Sequence, residues 1–168
     1  GICYVTKIED IAKVKLLMEE LNKFQICLYV VVPELPKSAL VEWQTWAHIS
    51  NPNFIYEETK FERSRFNVFF RQRSSRDGLV CSLIATISCN DFEASKSEFE
   101  ELVSYCIEKA NKKSKNKNIS LTIYHCPTIS SAFISNSVKN KFNVSTFVIP
   151  VLSIEDDNTL LAIVLTKY

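Results

Sequence analysis

Glycine is scarce in this sequence of 168 residues, which has only two, Gly1 and Gly78. Phosphate-binding loops of the Walker or dinucleotide type need at least two closely spaced glycines, so that the backbone can approach the phosphates. Gly1 and Gly78 are too far apart to form such a loop. The sequence therefore predicts that any nucleotide used with this chain binds on another part of the protein.

An excess of charge is also lacking, since 20 Lys+Arg stand against 19 Asp+Glu, for a formal net charge of +1. This balance gives no overall attraction to nucleic acid or to an anionic membrane. No apolar run approaches the roughly 20 residues that cross a bilayer, and the first residues lack the layout of a signal peptide. We therefore predict a cytoplasmic protein without membrane contact. Because the chain opens on Gly1 rather than on Met, we expect it to be a piece of a longer protein.

The cysteines lie inside apolar periodic segments rather than in loops. They are Cys3, Cys27, Cys81, Cys89, Cys106 and Cys126. This placement favours buried free thiols in a reducing compartment over a disulfide framework. No CxxC pair is present, and Cys81 and Cys89 would lie roughly 26 Å apart on one strand at ~3.3 Å per residue. The sequence predicts neither a metal site nor a cofactor held by this chain.

Hydrophobic residues make up 46% of the chain, enough for a core, and their spacing predicts an α+β fold. Capping-box patterns at 6–9 and 95–98 precede apolar residues at helical spacing, and a third helix is predicted at 130–139. Alternation predicts a strand at the start and others at 25–33, 38–48, 66–70, 80–89, 118–125, 144–152 and 159–166. Asp77-Gly78 predicts a hairpin turn. We expect a mostly antiparallel sheet with helices on one face.

The order of these elements suggests an internal duplication. The segment 22–25 (NKFQ) leads to 32–35 (VPEL), and 140–143 (NKFN) leads to 149–152 (IPVL), at offsets of 118 and then 117 residues. A two-fold repeat at this spacing is typical of duplicated domains. We predict that residues 1–50 are the C-terminal half of a first domain, that 51–63 are a linker, and that 64–168 are a second domain.

The stretch 35–44 (LPKSALVEWQ), followed by Ala47, resembles the terminal signature of the RidA/YjgF family. We interpret this motif as a hairpin in which Pro36 forms the corner and Val41, Trp43, Thr45 and Ala47 face one way. With the two copies, the chain resembles the C-terminal region of eukaryotic diphthine–ammonia ligases, in which an ATP-pyrophosphatase domain is followed by two RidA-like domains.

That resemblance implies a chorismate-mutase-like α+β fold and association as a homo- or pseudo-oligomer. It also implies an accessory role in the ATP-dependent amidation of diphthine to diphthamide on translation elongation factor two. The N-terminal ATP-pyrophosphatase domain would bind the ATP. This chain would contribute to assembly, small-ligand binding or partner binding, and would not be an enzyme by itself.

A second implication of the resemblance concerns the ligand cleft. Relatives that hydrolyse enamines or imines hold the substrate carboxylate with an arginine eight residues before the Leu-Pro signature, and the two copies have Cys27 and Val144 there. Neither can bind a carboxylate by charge. The family's acidic strand residue is Glu42, a weak catalytic candidate, and its second-copy counterpart is expected near Leu161. Cys27, Glu42, Gln44 and Val144 are the predicted cleft residues. A stand-alone enamine or imine deaminase is the alternative function.

Two further groups are candidates from their residue types. His125 and Cys126 resemble a base and nucleophile, but neighbours on a strand point to opposite faces, so we expect His125 in the core or an interface. His48 has no identifiable carboxylate to orient it and is expected to be a polar residue at the end of a strand. Arg71 and Arg73 share a strand face with Phe69, which predicts binding of an acidic protein or RNA and supports a third hypothesis, a binding module.

Overall fold

The structure is a computed structural model that describes residues 1–21, 26–45, 54–63, 65–89, 96–111, 119–139 and 144–167. These residues form an α+β fold with two mixed sheets. The helices are α1 (Glu9–Leu21), α2 (Lys96–Asn111) and α3 (Ser131–Lys139). The strands are β1 (Ile2–Val5), β2 (Leu28–Val31), β3 (Val41–Gln44), β4 (Phe54–Arg63), β5 (Phe66–Ser75), β6 (Cys81–Ser88), β7 (Ile119–His125), β8 (Ser145–Pro150), β9 (Ser153–Ile154) and β10 (Thr159–Lys167).

The two sheets differ in size. The small sheet has the strand order β3-β1-β2-β9, and the large sheet has the order β4-β5-β6-β10-β7-β8. Each sheet contains one parallel pair, β1 with β2 and β7 with β8, among antiparallel neighbours. The sheets are therefore mixed, and the expectation of mostly antiparallel pairing is confirmed for the remaining neighbours.

The sheets pack face to face between two helical layers. Ile2, Leu28 and Val30 of the small sheet meet Ile84 and Val164 of the large sheet in one buried cluster. We call these facing surfaces the inner faces. The outer face of the small sheet packs on α1, and that of the large sheet packs on α2 and α3. Apolar residues on both faces of the central strands explain this four-layer arrangement, because such strands must be covered on both sides.

Most of the predicted elements are confirmed. The three helices lie where capping and periodicity placed them, and β5 and β6 form the predicted hairpin. Gly78 has a φ of 72° in its turn, a conformation that glycine adopts without the strain a side chain would bring. In the described part of the chain, no helix is long and apolar enough to cross a membrane.

Three local predictions are wrong. Residues 54–63 of the proposed linker form β4, a ten-residue strand paired with β5 along its whole length. The Leu-Pro motif does not close a hairpin, because β1 lies between β2 and β3 and Pro36 begins a short 3-10 turn (Pro36–Ser38). The predicted strand 144–152 ends at Pro150, and the following β9 joins the small sheet beside β2. The chain therefore crosses between the sheets before β10.

Two segments of the chain share one topology. In β1-α1-β2-β3, β2 is parallel to β1 on one side and β3 is antiparallel to it on the other. In β7-α3-β8-β10, β8 and β10 flank β7 in the same two directions. The parallel partners Ile2 and Leu28 are 26 residues apart, and Ser120 and Ser145 are 25 apart. The spacing in the second segment is thus one residue shorter, the same difference as that between the sequence offsets of 118 and 117.

Candidate functional site

The four predicted cleft residues do not meet in the structure. Cys27 is buried on the outer face of the small sheet, in the cluster beneath α1. Val144 packs on the outer cluster of the large sheet, beneath α2 and α3. Glu42 and Gln44 are exposed on β3 and pair with Tyr4 and Ile2, so they lie on the inner side of the small sheet. The two positions of the family's arginine therefore face helices instead of the inter-sheet space.

Gln44 belongs to a hydrogen-bonded chain that joins the two sheets. The Tyr4 hydroxyl donates to Gln44 Oε1 at 3.1 Å and lies 2.9 Å from the Tyr124 hydroxyl on β7. The Tyr4 and Tyr124 rings meet edge to face with centroids 6.5 Å apart. Burial, and then the hydrogen bond with Tyr4, raise the pKa of Tyr124 above its ordinary value. The Tyr124 hydroxyl therefore stays protonated at neutral pH and donates to the Tyr4 hydroxyl, because the Tyr4 proton is used in the bond to Gln44.

We expect Tyr4→Phe to lower the free energy of unfolding by about 1–3 kcal/mol, because the buried Tyr124 hydroxyl loses its partner. Gln44 is exposed and can bond to water instead. The double variant Tyr4→Phe/Tyr124→Phe should be more stable than Tyr4→Phe alone, since no unpaired hydroxyl remains. Urea denaturation of the two single variants and the double variant measures this coupling. Additive effects of the two substitutions would contradict it.

Arg71 makes contacts within the chain rather than with solvent. Its Nη2 lies 2.6 Å from Glu155 Oε1, and its Nη1 donates to the Cys27 carbonyl oxygen at 2.8 Å. The side chains of Arg71 and Glu155 are only 11% and 10% exposed. The guanidinium also lies 5.0 Å from the Phe69 ring centroid. Arg71 thus joins β5 to the residue before β2 and to the turn after β9, which argues against its predicted use in partner binding.

Arg73 lies two residues further along the same face of β5. Its guanidinium is 5.1 Å from the Phe54 ring centroid on β4, and its side chain is half-buried. Partner binding through Arg73 stays a prediction. Residues 112–118, the lysine-rich segment after α2, lie outside the described residues.

The histidine–cysteine pair is separated as expected. His125 is buried, with Nδ1 3.0 Å from the Cys126 carbonyl oxygen and Nε2 2.7 Å from Ser131 Oγ at the start of α3. The carbonyl oxygen can only accept, so Nδ1 donates to it, and in the neutral tautomer with that proton Nε2 accepts from the serine hydroxyl. Cys126 packs in the inner cluster and its thiol donates to the Thr159 carbonyl. His125 is therefore a satisfied core residue. His48 lies outside the described residues.

The cysteines are buried free thiols, as their placement predicted. Burial raises the pKa of Cys27 to about 11 and that of Cys3 to about 12. Both thiols stay protonated near neutral pH, and a protonated thiol is a poor nucleophile. Within the described ranges, no three His, Cys, Asp or Glu side chains come together as a metal site would require.

A cleft that the sequence did not predict lies near the β4 edge of the large sheet. It has a volume of about 470 Å³ and lies on the inner side of β4, β5 and β6, beneath the turn between β9 and β10. We call it the β4–β6 cleft. Its lining includes Lys60, Glu62, Phe69, Thr86, Ser88 and Asp156. The cleft was not predicted because residues 54–63 were interpreted as a linker, and a linker is not expected to form the wall of a cleft.

Comparison with known protein families, with curated proteins and with solved structures found no match to this chain. The geometry alone therefore describes the site. Two packed sheets enclose hydroxyl, amide and carboxylate groups at their margins. Ser131 Oγ also lies 2.7 Å from His125 Nε2, but the other ring nitrogen of this buried histidine bonds to the Cys126 carbonyl oxygen and not to a carboxylate. This arrangement can bind small polar molecules or hold another part of a protein.

Proposed function

We propose that this chain is an internally duplicated, RidA-like accessory region of an ATP-dependent diphthine–ammonia ligase. In this proposal it stabilises the assembly and binds a small ligand or the protein substrate, translation elongation factor two. ATP binds to an upstream ATP-pyrophosphatase domain of the same protein. In this proposal the fold is a duplicated chorismate-mutase-like one, the protein associates as a homo- or pseudo-oligomer, and it is cytoplasmic.

The observation that most supports this proposal is the shared topology of the two segments. Their parallel strand pairs differ by the same single residue that separates the two repeat offsets in the sequence. A chance similarity of strand order would not be expected to reproduce that register. Duplication thus accounts for both the sequence repeat and the strand pairing.

The strand register also bears on the deaminase alternative. Tyr4 pairs with Glu42 on β3, and the matching residue Thr122 pairs with Val164 on β10. The second copy therefore has Val164 where the first has Glu42, and the expected Leu161 pairs elsewhere, with His125. A carboxylate in only one copy, and no arginine at either expected position, favour an accessory role over imine hydrolysis.

The division of labour predicts a simple result. We expect the isolated chain to give no saturable ATP binding and no adenylate from diphthine, because it has no glycine-rich loop. The longer protein that contains it should do both. Isothermal titration and a radiolabelled adenylation assay test this, and the isolated chain forming adenylate would refute the proposal.

The deaminase alternative has its own test. Ammonia release from 2-aminoacrylate by the isolated chain should equal the uncatalysed rate. A faster rate that falls after Glu42→Gln would favour the deaminase, with Glu34→Gln as a matched exposed control on the preceding loop.

A further inference from the structure

The β4–β6 cleft is built from two adjacent rows of side chains on the inner face of the large sheet. In one row Lys60 of β4 pairs with Phe69 of β5, which pairs with Thr86 of β6. In the other row Glu62, Asn67, Ser88 and Thr159 follow one another across β4, β5, β6 and β10. Successive rows on one sheet face are two residues apart, so all these groups point into the same space.

The turn between β9 and β10 adds a carboxylate from above. Asp156 Oδ1 accepts from the backbone amides of Asn158 and Thr159 at 2.9 and 2.8 Å, and from the Thr159 hydroxyl at 2.9 Å. These three hydrogen bonds hold the carboxylate in place at the cleft. Glu155, just before it, has a φ of 52°, a conformation that is rare for a residue with a side chain. Its ion pair with Arg71 holds this turn over the sheet.

The charges of the cleft favour a cation. Glu155 is neutralised by Arg71. Among the other described residues that line the cleft, the carboxylates of Glu62 and Asp156 stand against the ammonium of Lys60. The floor is the ring of Phe69, whose face attracts positive charge. The Lys60 ammonium already lies 5.0 Å from the centroid of that ring. A cation of the chain itself thus occupies the position that a bound cation would use.

We propose that the β4–β6 cleft binds a small organic cation with a primary ammonium group. Its charge is balanced by the carboxylates of Glu62 and Asp156, and it is attracted by the face of the Phe69 ring. The hydroxyls of Thr86 and Ser88 accept hydrogen bonds from its N–H groups, which a quaternary ammonium group cannot donate. The Lys60 side chain competes with this ligand for the same ring face. This proposal does not depend on the ligase assignment.

The test is a titration of the ¹⁵N-labelled chain with methylammonium chloride at constant ionic strength, followed by amide chemical shifts. We expect saturable shifts at Thr86, Ser88 and Asp156. The same titration with tetramethylammonium chloride should give weaker binding, and sodium acetate should give no saturable shifts at these residues.

Removing a carboxylate and removing the lysine ammonium should change the methylammonium affinity in opposite directions. Glu62→Gln/Asp156→Asn should weaken methylammonium binding by about tenfold, because two charge-assisted contacts are lost, whereas Lys60→Met should strengthen it by about two- to fivefold. Asp156→Asn keeps an acceptor oxygen for the turn. Glu62→Gln alone, on an exposed edge strand, should weaken binding by about threefold. Glu19→Gln/Glu20→Gln and Lys7→Met remove the same charges from exposed positions outside the cleft, at α1 and just before it, and should leave the affinity unchanged. Unchanged affinity in Glu62→Gln/Asp156→Asn, or acetate binding that Lys60→Met abolishes, would overturn the proposal.

Discussion

Arg71→Met should lower the free energy of unfolding by about 3–5 kcal/mol, the usual cost of leaving one member of a buried ion pair without its partner. The Glu155 carboxylate is only 10% exposed and would lose its countercharge. The Cys27 carbonyl would lose its hydrogen bond from Nη1 in the same substitution. Because these contacts reach from β5 to the residue before β2 and to the turn after β9, the loss should loosen the packing of the two sheets.

Two further variants separate charge from shape in this prediction. Arg71→Met/Glu155→Gln leaves no unpaired charge and should recover about half of the lost stability. Arg73→Met, on the same strand face over Phe54, should cost less than about 1 kcal/mol because it breaks no ion pair among the residues that the structure describes. Urea denaturation of the wild type and the three variants provides the measurement. A cost for Arg71→Met no greater than that for Arg73→Met would show that the buried pair contributes little.

Stability should fall steeply in alkaline solution. Burial raises the pKa of Cys27 to about 11 and of Cys3 to about 12, and it also raises the pKa values of Tyr29 and Tyr124. A raised pKa in the folded state means that folding favours the protonated group. Its contribution is complete below the pKa of the unfolded chain, about 8.5 for cysteine and about 10 for tyrosine, and is lost as the pH rises toward the folded value.

Each such group should reduce the free energy of unfolding by about 1.4 kcal/mol per pH unit inside its window. The cysteines act first, from about pH 9, and the tyrosines add to the slope above about pH 10. Free energies of unfolding from urea titrations between pH 7 and pH 11 test this. Cys3→Val/Cys27→Val should flatten the fall above pH 9, with the same variant at pH 7 as the reference for any packing change. A stability that stays constant to pH 11 would contradict the prediction.

The helices and the central strands could be predicted because their pattern is local. The apolar periods of 3.6 and 2 that define α2 and β6 are properties of the residues themselves. The β5–β6 hairpin was equally local, since Asp77-Gly78 specifies its turn. These predictions needed no knowledge of what lies across the sheet.

Strand β4 was missed for a physical reason. Its sequence, FIYEETKFER, places charged residues on both faces, and such a segment resembles a solvated linker. Charged residues are tolerated there because β4 is an edge strand with part of each face in water. The backbone pairing with β5 makes it a strand, and that pairing is not visible in the residues of β4 alone.

The sequence by itself determined the helices, the buried thiols and a repeat whose offset changes by one residue. All of these follow from local periodicity or from comparison of the chain with itself. Only the tertiary structure decided that Arg71 is an internal ion-pair partner, that Cys27 and Val144 face helices, and that a cleft lies beside β4. These features depend on which strands are neighbours and on what packs against each sheet face. The sequence can show which face of a strand a side chain occupies, but only the tertiary structure shows what lies opposite that face.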